Sequence, residues 1–522
     1  MSEHNEAQAP AKESGSFFRG LFGRVKHDVP RSDSRSGSGS DNPLDLGDIQ
    51  GFILRGYKMP MVRHFLLTVG VPAEARKLLG RFVNESDVPQ ITTAEDWHVG
   101  FEPGPGDNPA DVPRRKPDYC LNLGITWPGL IALEVKQRVS SLSFKSFGAF
   151  IAGAAERAKL VADIGESDPQ HWVGGFGKGS DHVLLTLHAM SPEAMTRYSD
   201  RLVALFAEGG AFREIWRADG MALMEMKDGE AVPTFKVHFG YTDGISMTTI
   251  RGGPERYPPD HQQPCEPWLF VLRDEAENYF VPEPHELGLN GSFAVFKMIE
   301  TDVVRFEKFL QSNSERVDPE LLAAKICGRW RNGVPLVLSP ETDSPPGGIQ
   351  PEQLNYFEYV NADGSGDPRG LRCPVGAHMR RINPRGQPVT GQGQPGGSNN
   401  THRLIRRGLP YGPVYDPSQP DDGIERGLLG YFINSSIENQ YEFVLGNWVN
   451  DSEFAGAVRL PPKSKDPLIG TQDPAESIFV IPQANGAPPI KLAGFPSFVT
   501  TKAAAYCFLP SITAIKFIAG LG

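Results

Sequence analysis

His64-Phe65-Leu66-Leu67-Thr68-Val69, followed by helically spaced apolar residues as far as Phe82, is the stretch whose reading sets the fold. A short run of apolar and β-branched residues that gives way to a 3.6-residue period is one strand followed by one helix. The same unit returns in His182-Val183-Leu184-Leu185-Thr186-Leu187-His188, which precedes a helical pattern over 191–207. It returns again in Ser292 to Phe296 before a helix around Val303, Val304, Phe306, Phe309 and Leu310. The fourth copy is Leu428 to Ile433, ahead of a helix that Ser435 or Ser436 would cap and that runs to about Trp448. Two units in each half predict a duplicated α+β architecture, with each half burying one face of an antiparallel sheet under helices.

The first half is placed at about 43–255 and the second at about 256–522, joined through the proline-rich stretch Pro254 to Pro267. Residues 1–42 are rich in serine, glycine and charge and cannot bury enough surface to order themselves. Within them Phe18, Leu21, Phe22 and Val25 fall on one helical face opposite cations, a pattern suited to docking on a partner or an anionic membrane surface or to a chance cluster. The segment 386–400 is a low-complexity loop.

At 522 residues the chain is long enough for about three domains by the usual size of ~150 residues each. Glycine and proline supply about a fifth of it, against a usual ~12%, which argues against a helical bundle and for long loops. The net charge of −11 repels polyphosphate and excludes general nucleic-acid binding. Five cysteines, an odd number without CxxC spacing, exclude a disulfide scaffold and a structural zinc site. No apolar run approaches the ~18 residues of a membrane span, and no secretory signal is evident, so a cytoplasmic location is expected.

The charge is unevenly placed. Between Pro368 and Tyr415 there is no Asp, Glu or Lys, yet eight arginines occur: 369, 372, 380, 381, 385, 403, 406 and 407. Arginine suits planar, bidentate recognition of carboxylate or phosphate, so the segment predicts an anionic ligand. His378 lies within it, flanked by Gly376, Ala377 and Met379. Such neighbours fit a neutral imidazole ligating a metal, or equally a hydrogen-bonded structural histidine.

The string Cys373-Pro374-Val375-Gly376-Ala377-His378-Met379-Arg380-Arg381-Ile382-Asn383-Pro384-Arg385 resembles the haem-ligand motif of the dye-decolorising peroxidases. Phe239 to Ser246 resembles the GxxDG motif of that family, Arg403 to Gly412 its distal-arginine segment, Phe498 to Ser511 its last strand, and Asp48 to Ile53 its opening. The motifs stand in the family's order over about 45–520 and match its larger-chain subgroup.

The resemblance implies two ferredoxin-like domains of the dimeric α+β barrel superfamily, with one haem b (iron protoporphyrin IX) per chain held in the second. His378 would be the proximal iron ligand, its Nδ1–H held by Asp466 or, failing that, Glu438. Asp243 and Arg406 would be the catalytic pair on the distal side, and Arg385 would pair with a haem propionate. Leu429 would line the distal pocket, with Tyr431 beside it by strand alternation. The family usually carries Leu and Phe there, so Tyr431 adds a phenol. Trp448 matches a tryptophan that carries a surface radical in relatives, and reads equally as a core aromatic. Ala503-Ala504-Ala505-Tyr506 replaces the family's Gly-Gly pair, so the backbone is expected to differ there. The implied activity is reduction of hydrogen peroxide with oxidation of dyes, phenols and other aromatic one-electron donors; a homo-oligomer is left open. The rival reading is a haem-binding protein that stores, delivers or strips iron from haem, and a further one is a haem-free cargo or structural protein.

Overall fold

The computed structural model describes residues 43–95, 116–138, 142–144, 147–255, 264–273, 281–389, 399–456 and 460–520. The N-terminal tail with its apolar island at 17–26, the middle of the linker and most of the 386–400 loop lie outside these residues.

Eight strands form one antiparallel sheet: β1 Met61–Val69, β2 Tyr119–Ile125, β3 Val183–Ala189 and β4 Phe212–Met221 from the first half, with β7 Ser292–Thr301, β8 Ile405–Tyr411, β9 Gly427–Asn434 and β12 Val499–Leu509 from the second. Two small hairpins, β5 Met224–Lys227 with β6 Glu230–Pro233 and β10 Ile478–Ile481 with β11 Ile490–Ala493, stand apart. The order across the sheet is β4-β1-β3-β2-β12-β7-β9-β8. Counted within each half this is fourth-first-third-second, given twice, so the duplication read from the strand–helix units is written into the sheet. The halves meet where Phe508 of β12 pairs with Ile125 of β2.

Local chemistry sets the helices. α1 Pro72–Asn84 and α2 Pro192–Ala207 follow β1 and β3, and the Ser191 hydroxyl caps α2 by accepting from Ala194 N–H. α3 Val303–Ser312 is capped by Asp302, and α4 Pro319–Cys327 by Asp318 with proline in its first turn. Gly328 ends α4 at φ 97°, a conformation costly for other residues, and a side chain there would press on Met379. After β9 the chain winds as π-helix over Ile437–Glu442 and Val444–Val449, capped by Ser436.

Helices cover one face of the sheet in both halves; Phe65 of β1, for instance, packs edge-on against Phe206 of α2. The other face is buried by the sheet itself. His64 of β1 lies 5.0 Å, ring to ring, from Phe296 of β7, although three strands separate β1 and β7 in the order. The sheet is therefore rolled, and its edges approach where Gly220 of β4 faces Leu409 and Pro410 of β8. At Ala503 to Tyr506 the strand runs straight through, with a bulge just before it between Thr501 and Ala503. Among the described residues no helix is long and apolar enough to cross a membrane.

Candidate functional site

His378 opens the short helix α5 His378–Ile382. Its Nδ1 is 2.9 Å from Oδ2 of Asp466, whose side chain is fully buried. The second oxygen, Oδ1, accepts the backbone N–H groups of Leu468 and Ile469, each at 2.9 Å. Burial alone would raise the Asp466 carboxyl; the His378 ring, the Ile469 N–H and the Arg381 guanidinium outweigh it and hold the group below the ordinary carboxylate range. An ionised carboxylate thus fixes the ring with Nε2 pointing away from it. No partner for Nε2 is found among the described residues, and the side chain keeps 15% of its exposure.

Arg381 ties this arrangement together. Buried, it donates to the carbonyls of Gly376, Trp448, Asp451 and Ser464, linking the histidine's loop to the segment that carries Asp466. Burial lowers it to about 10, with Asp466 and Asp451 opposing the shift.

Asp243 and Arg406 form a second pair: Arg406 Nη2 lies 2.9 Å from Asp243 Oδ1, with both side chains substantially exposed. Arg406 is on β8, opposite Phe432 of β9. Asp243 is on the loop after β6, where its N–H donates to the Phe235 carbonyl. Arg331 secures that loop, accepting Thr242 N–H and Oγ1–H on its carbonyl and donating to the Phe239 carbonyl. Tyr241 donates to the Ala323 carbonyl of α4, while Met379 of α5 packs against Gly328 at the end of α4. One helix therefore supports both loops. Beside Arg406 lies a small recess lined by Ser246, Met247, Thr248 and Leu404 to Arg407.

Several sequence expectations are corrected. The Arg385 guanidinium donates to the Asn355 and Phe357 carbonyls and to Asn355 Oδ1, and lies 4.0 Å from the centre of the Phe357 ring. Leu429 and Tyr431 do not share a face with Arg406. The register pairs Arg407 with Tyr431 and Leu409 with Leu429, and a period of two puts them on the inward side; Leu428 and Phe432 take the side of Arg406. Within the arginine-rich segment, Arg380 is buried on Asp367, Gln387 and the Cys373 carbonyl, Arg403 donates to Thr248 and Arg407 to the Phe52 carbonyl. Trp448 is 1% exposed among His402, Phe443 and Phe454, which makes it a core aromatic. Glu438 is elsewhere, accepting the Ala149 N–H.

Arg331, Phe432 and the helix α4 were not singled out from sequence. Strand alternation anchored on Arg406 would have found Phe432; nothing local marks Arg331, whose partners are distant in the chain.

These residues fit a haem. Among the described residues no cluster of three or more His, Cys, Asp and Glu side chains could hold a metal ion. A metal bound through His378 alone needs its other coordination positions filled by a non-protein chelator, which a porphyrin supplies. The donor set is right for it: an imidazole anchored at Nδ1 by a buried carboxylate, with Nε2 unpartnered among the described residues.

No protein-family model matches the chain. The dye-decolorizing peroxidase msp1 of Mycetinis scorodonius is 27% identical over 518 residues, covering 94% of this chain and 90% of that protein. The multifunctional dye peroxidase of an Amycolatopsis species is 27% identical over 417 residues, covering 76% and 81%. Among solved structures, a dye-decolorizing peroxidase in complex with 2,6-dimethoxyphenol superposes with a TM-score of 0.72 at 26% identity over 91% of this chain and all of that one. An ancestral D-type dye-decolorizing peroxidase gives 0.72 at 27%, over 91% and 99%. This homology is to haem-dependent peroxidases, and the α+β fold is related to their ferredoxin-like superfamily. Homology over most of its length supports assigning the chain to the dye-decolorising peroxidases.

Proposed function

We propose that this chain reduces hydrogen peroxide at a haem b ligated by His378 and draws electrons from dyes, phenols and related aromatic donors. The observation that carries the reading is the double pairing of His378 with buried Asp466 and of Asp243 with Arg406. When bound, the haem supplies two-electron reduction of peroxide and one-electron oxidation of donors. Asp466 holds the His378 ring in the Nδ1–H form, which leaves Nε2 as the ligand and raises its basicity. Asp243 would accept a proton from bound peroxide and return it to the departing oxygen, which leaves as water. Arg406, 2.9 Å from that carboxylate, holds it in place and stabilises charge on the separating oxygens. Phe432 and Leu428, on the Arg406 side of β9, limit the space beside them.

The repeated strand order and the approach of β4 to β8 support the finer fold reading, a closed barrel of the dimeric α+β superfamily built from two domains that divide near 255.

Stopped-flow spectroscopy of the haem-loaded Asp243→Asn variant tests the reading. The peroxide-dependent change in the Soret band should slow by about 10²–10⁴-fold, the usual worth of a positioned acid–base group, with haem still bound. An unchanged rate removes Asp243 from the mechanism. A haem-storage protein would show no turnover with peroxide and dye at all.

A further inference from the structure

On the inward face of the sheet, away from Arg406, lies a buried chain of polar groups that the reaction above does not use. The Tyr431 hydroxyl is 2.8 Å from Thr186 Oγ1, which is 2.9 Å from His64 Nδ1. All three residues are at most 3% exposed, and no partner is found for His64 Nε2 among the described residues. The rings of Phe52, Phe296 and His64 surround the phenol at 5.3 to 5.7 Å.

Hydrogen-bond accounting sets the direction of this chain. If His64 Nδ1–H donates to Thr186 and Thr186 donates to the phenol oxygen, both the phenol O–H and the Nε2 lone pair go unsatisfied. If instead Tyr431 donates to Thr186 and Thr186 donates to Nδ1, only the Nε2–H lacks a partner. An orphaned buried polar group is costly, so the second arrangement, with one orphan rather than two, holds. The phenol proton then has a ready path to a neutral imidazole.

We propose that Tyr431 is a proton-coupled redox site, with Thr186 and His64 as its proton relay. The inference rests on the peroxidase reading, which supplies the oxidant: the protein left short of electrons after peroxide has been reduced. One electron leaves the Tyr431 ring to fill that deficit. The phenolic proton passes to Thr186 Oγ1 as the hydroxyl proton of Thr186 passes to His64 Nδ1, leaving a neutral phenoxyl radical and an imidazolium. An oxidised phenol is a far stronger acid than the phenol, which drives the transfer. Burial, the main cause of a phenol pKa raised far above its ordinary value and of a lowered imidazole one, keeps both groups neutral at rest. One electron from an external donor, with the protons retracing their path, restores the start. Tyr431 is next along β9 to Phe432, the partner of Arg406, but on the opposite side of the sheet. The site therefore stores one oxidising equivalent close to the peroxide-reducing side yet out of contact with it.

Electron paramagnetic resonance of holoenzyme frozen after mixing with hydrogen peroxide tests this. Wild type should give a tyrosyl signal that narrows when the protein is made with ring-deuterated tyrosine. Tyr431→Phe should lose that signal while keeping its Soret band. Thr186→Val, which retains the phenol but cuts the relay, should lose it too, and Thr186→Ser should restore it; this pair decides the matter even if Tyr431→Phe fails to fold. A signal unchanged in Tyr431→Phe or in Thr186→Val overturns the proposal while leaving the peroxidase reading intact. A Soret band that peroxide does not alter overturns both.

Discussion

Arg385 shows how far a residue's surroundings can depart from what its motif implies. It closes the string that contains His378, where the family resemblance assigns it to a propionate. In the fold its guanidinium instead joins Asn355 and Phe357 through three hydrogen bonds and lies flat on an aromatic ring. Lysine cannot reproduce the planar fork or the stack. Arg385→Lys should therefore lose roughly 1–3 kcal/mol of stability in urea titrations, the worth of charge-assisted bonds left unmade. The Soret band of the loaded protein should not change. Loss of haem at unchanged stability would return Arg385 to the propionate. The same logic runs through Arg380 and Arg381: in this segment guanidinium groups serve as buried ties between loop carbonyls, because long loops leave many carbonyls that no strand or helix satisfies. The excess of arginine over lysine was visible in sequence. Its purpose was not, since ligand carboxylates and loop carbonyls ask for the same donor.

Among the elements, β8 and β9 carry the most consequence, because their register decides which side chains meet Arg406. Gly430 packs its α-carbon against β8; a Cβ there would lie 2.1 Å from the Arg407 carbonyl oxygen. Gly430→Ala must push β8 away from β9 and so move Arg406 relative to Phe432. A cost of roughly 1–3 kcal/mol is expected, as for other overpacked sites. Urea midpoints measure it, and a neutral substitution would mean that the strands are slack there. Of the two serines offered as caps for the fourth strand–helix unit, it is Ser436 that caps; all four units were legible, because amphipathic periodicity is a local property. The π-helical winding after β9 was not: a wider turn leaves no distinct apolar period over so few residues. The side of the sheet facing the site was misread at Leu429 and Tyr431. Alternation says which residues share a face but not which face looks at the ligand.

For the whole molecule, the rolled sheet buries polar groups from both halves, and this has a pH consequence. Burial, the largest cause in each case, holds the rings of His64, His182, His188, His238 and His402 below their ordinary range, His188 to about 3. The unfolded chain takes up these protons near pH ~6.5, and the folded one does not. Stability is thus fully present above about pH 6.5 and falls as pH drops toward the folded values, by about 1.4 kcal/mol per unit for each fully buried ring. His188→Leu should flatten that slope by one proton's worth in urea unfolding followed down from neutral pH. An unaltered slope would mean that His188 titrates in the folded state.

The sequence by itself determined the duplicated α+β architecture, and the resemblance of its motifs pointed to His378, Asp243 and Arg406 as a candidate set and to Asp466 as a candidate partner. The first rests on local periodicity, the others on short strings that resemble a family's motifs. Only the tertiary structure decided that one sheet runs through both halves, and that Asp466 rather than Glu438 reaches Nδ1 of His378. It also decided that most of the clustered arginines are internal ties and that Tyr431 points inward to Thr186 and His64. Those contacts join residues far apart in the chain, and they exist only because the sheet rolls until β1 faces β7 and β9; no local pattern records a curvature that arises from all eight strands together.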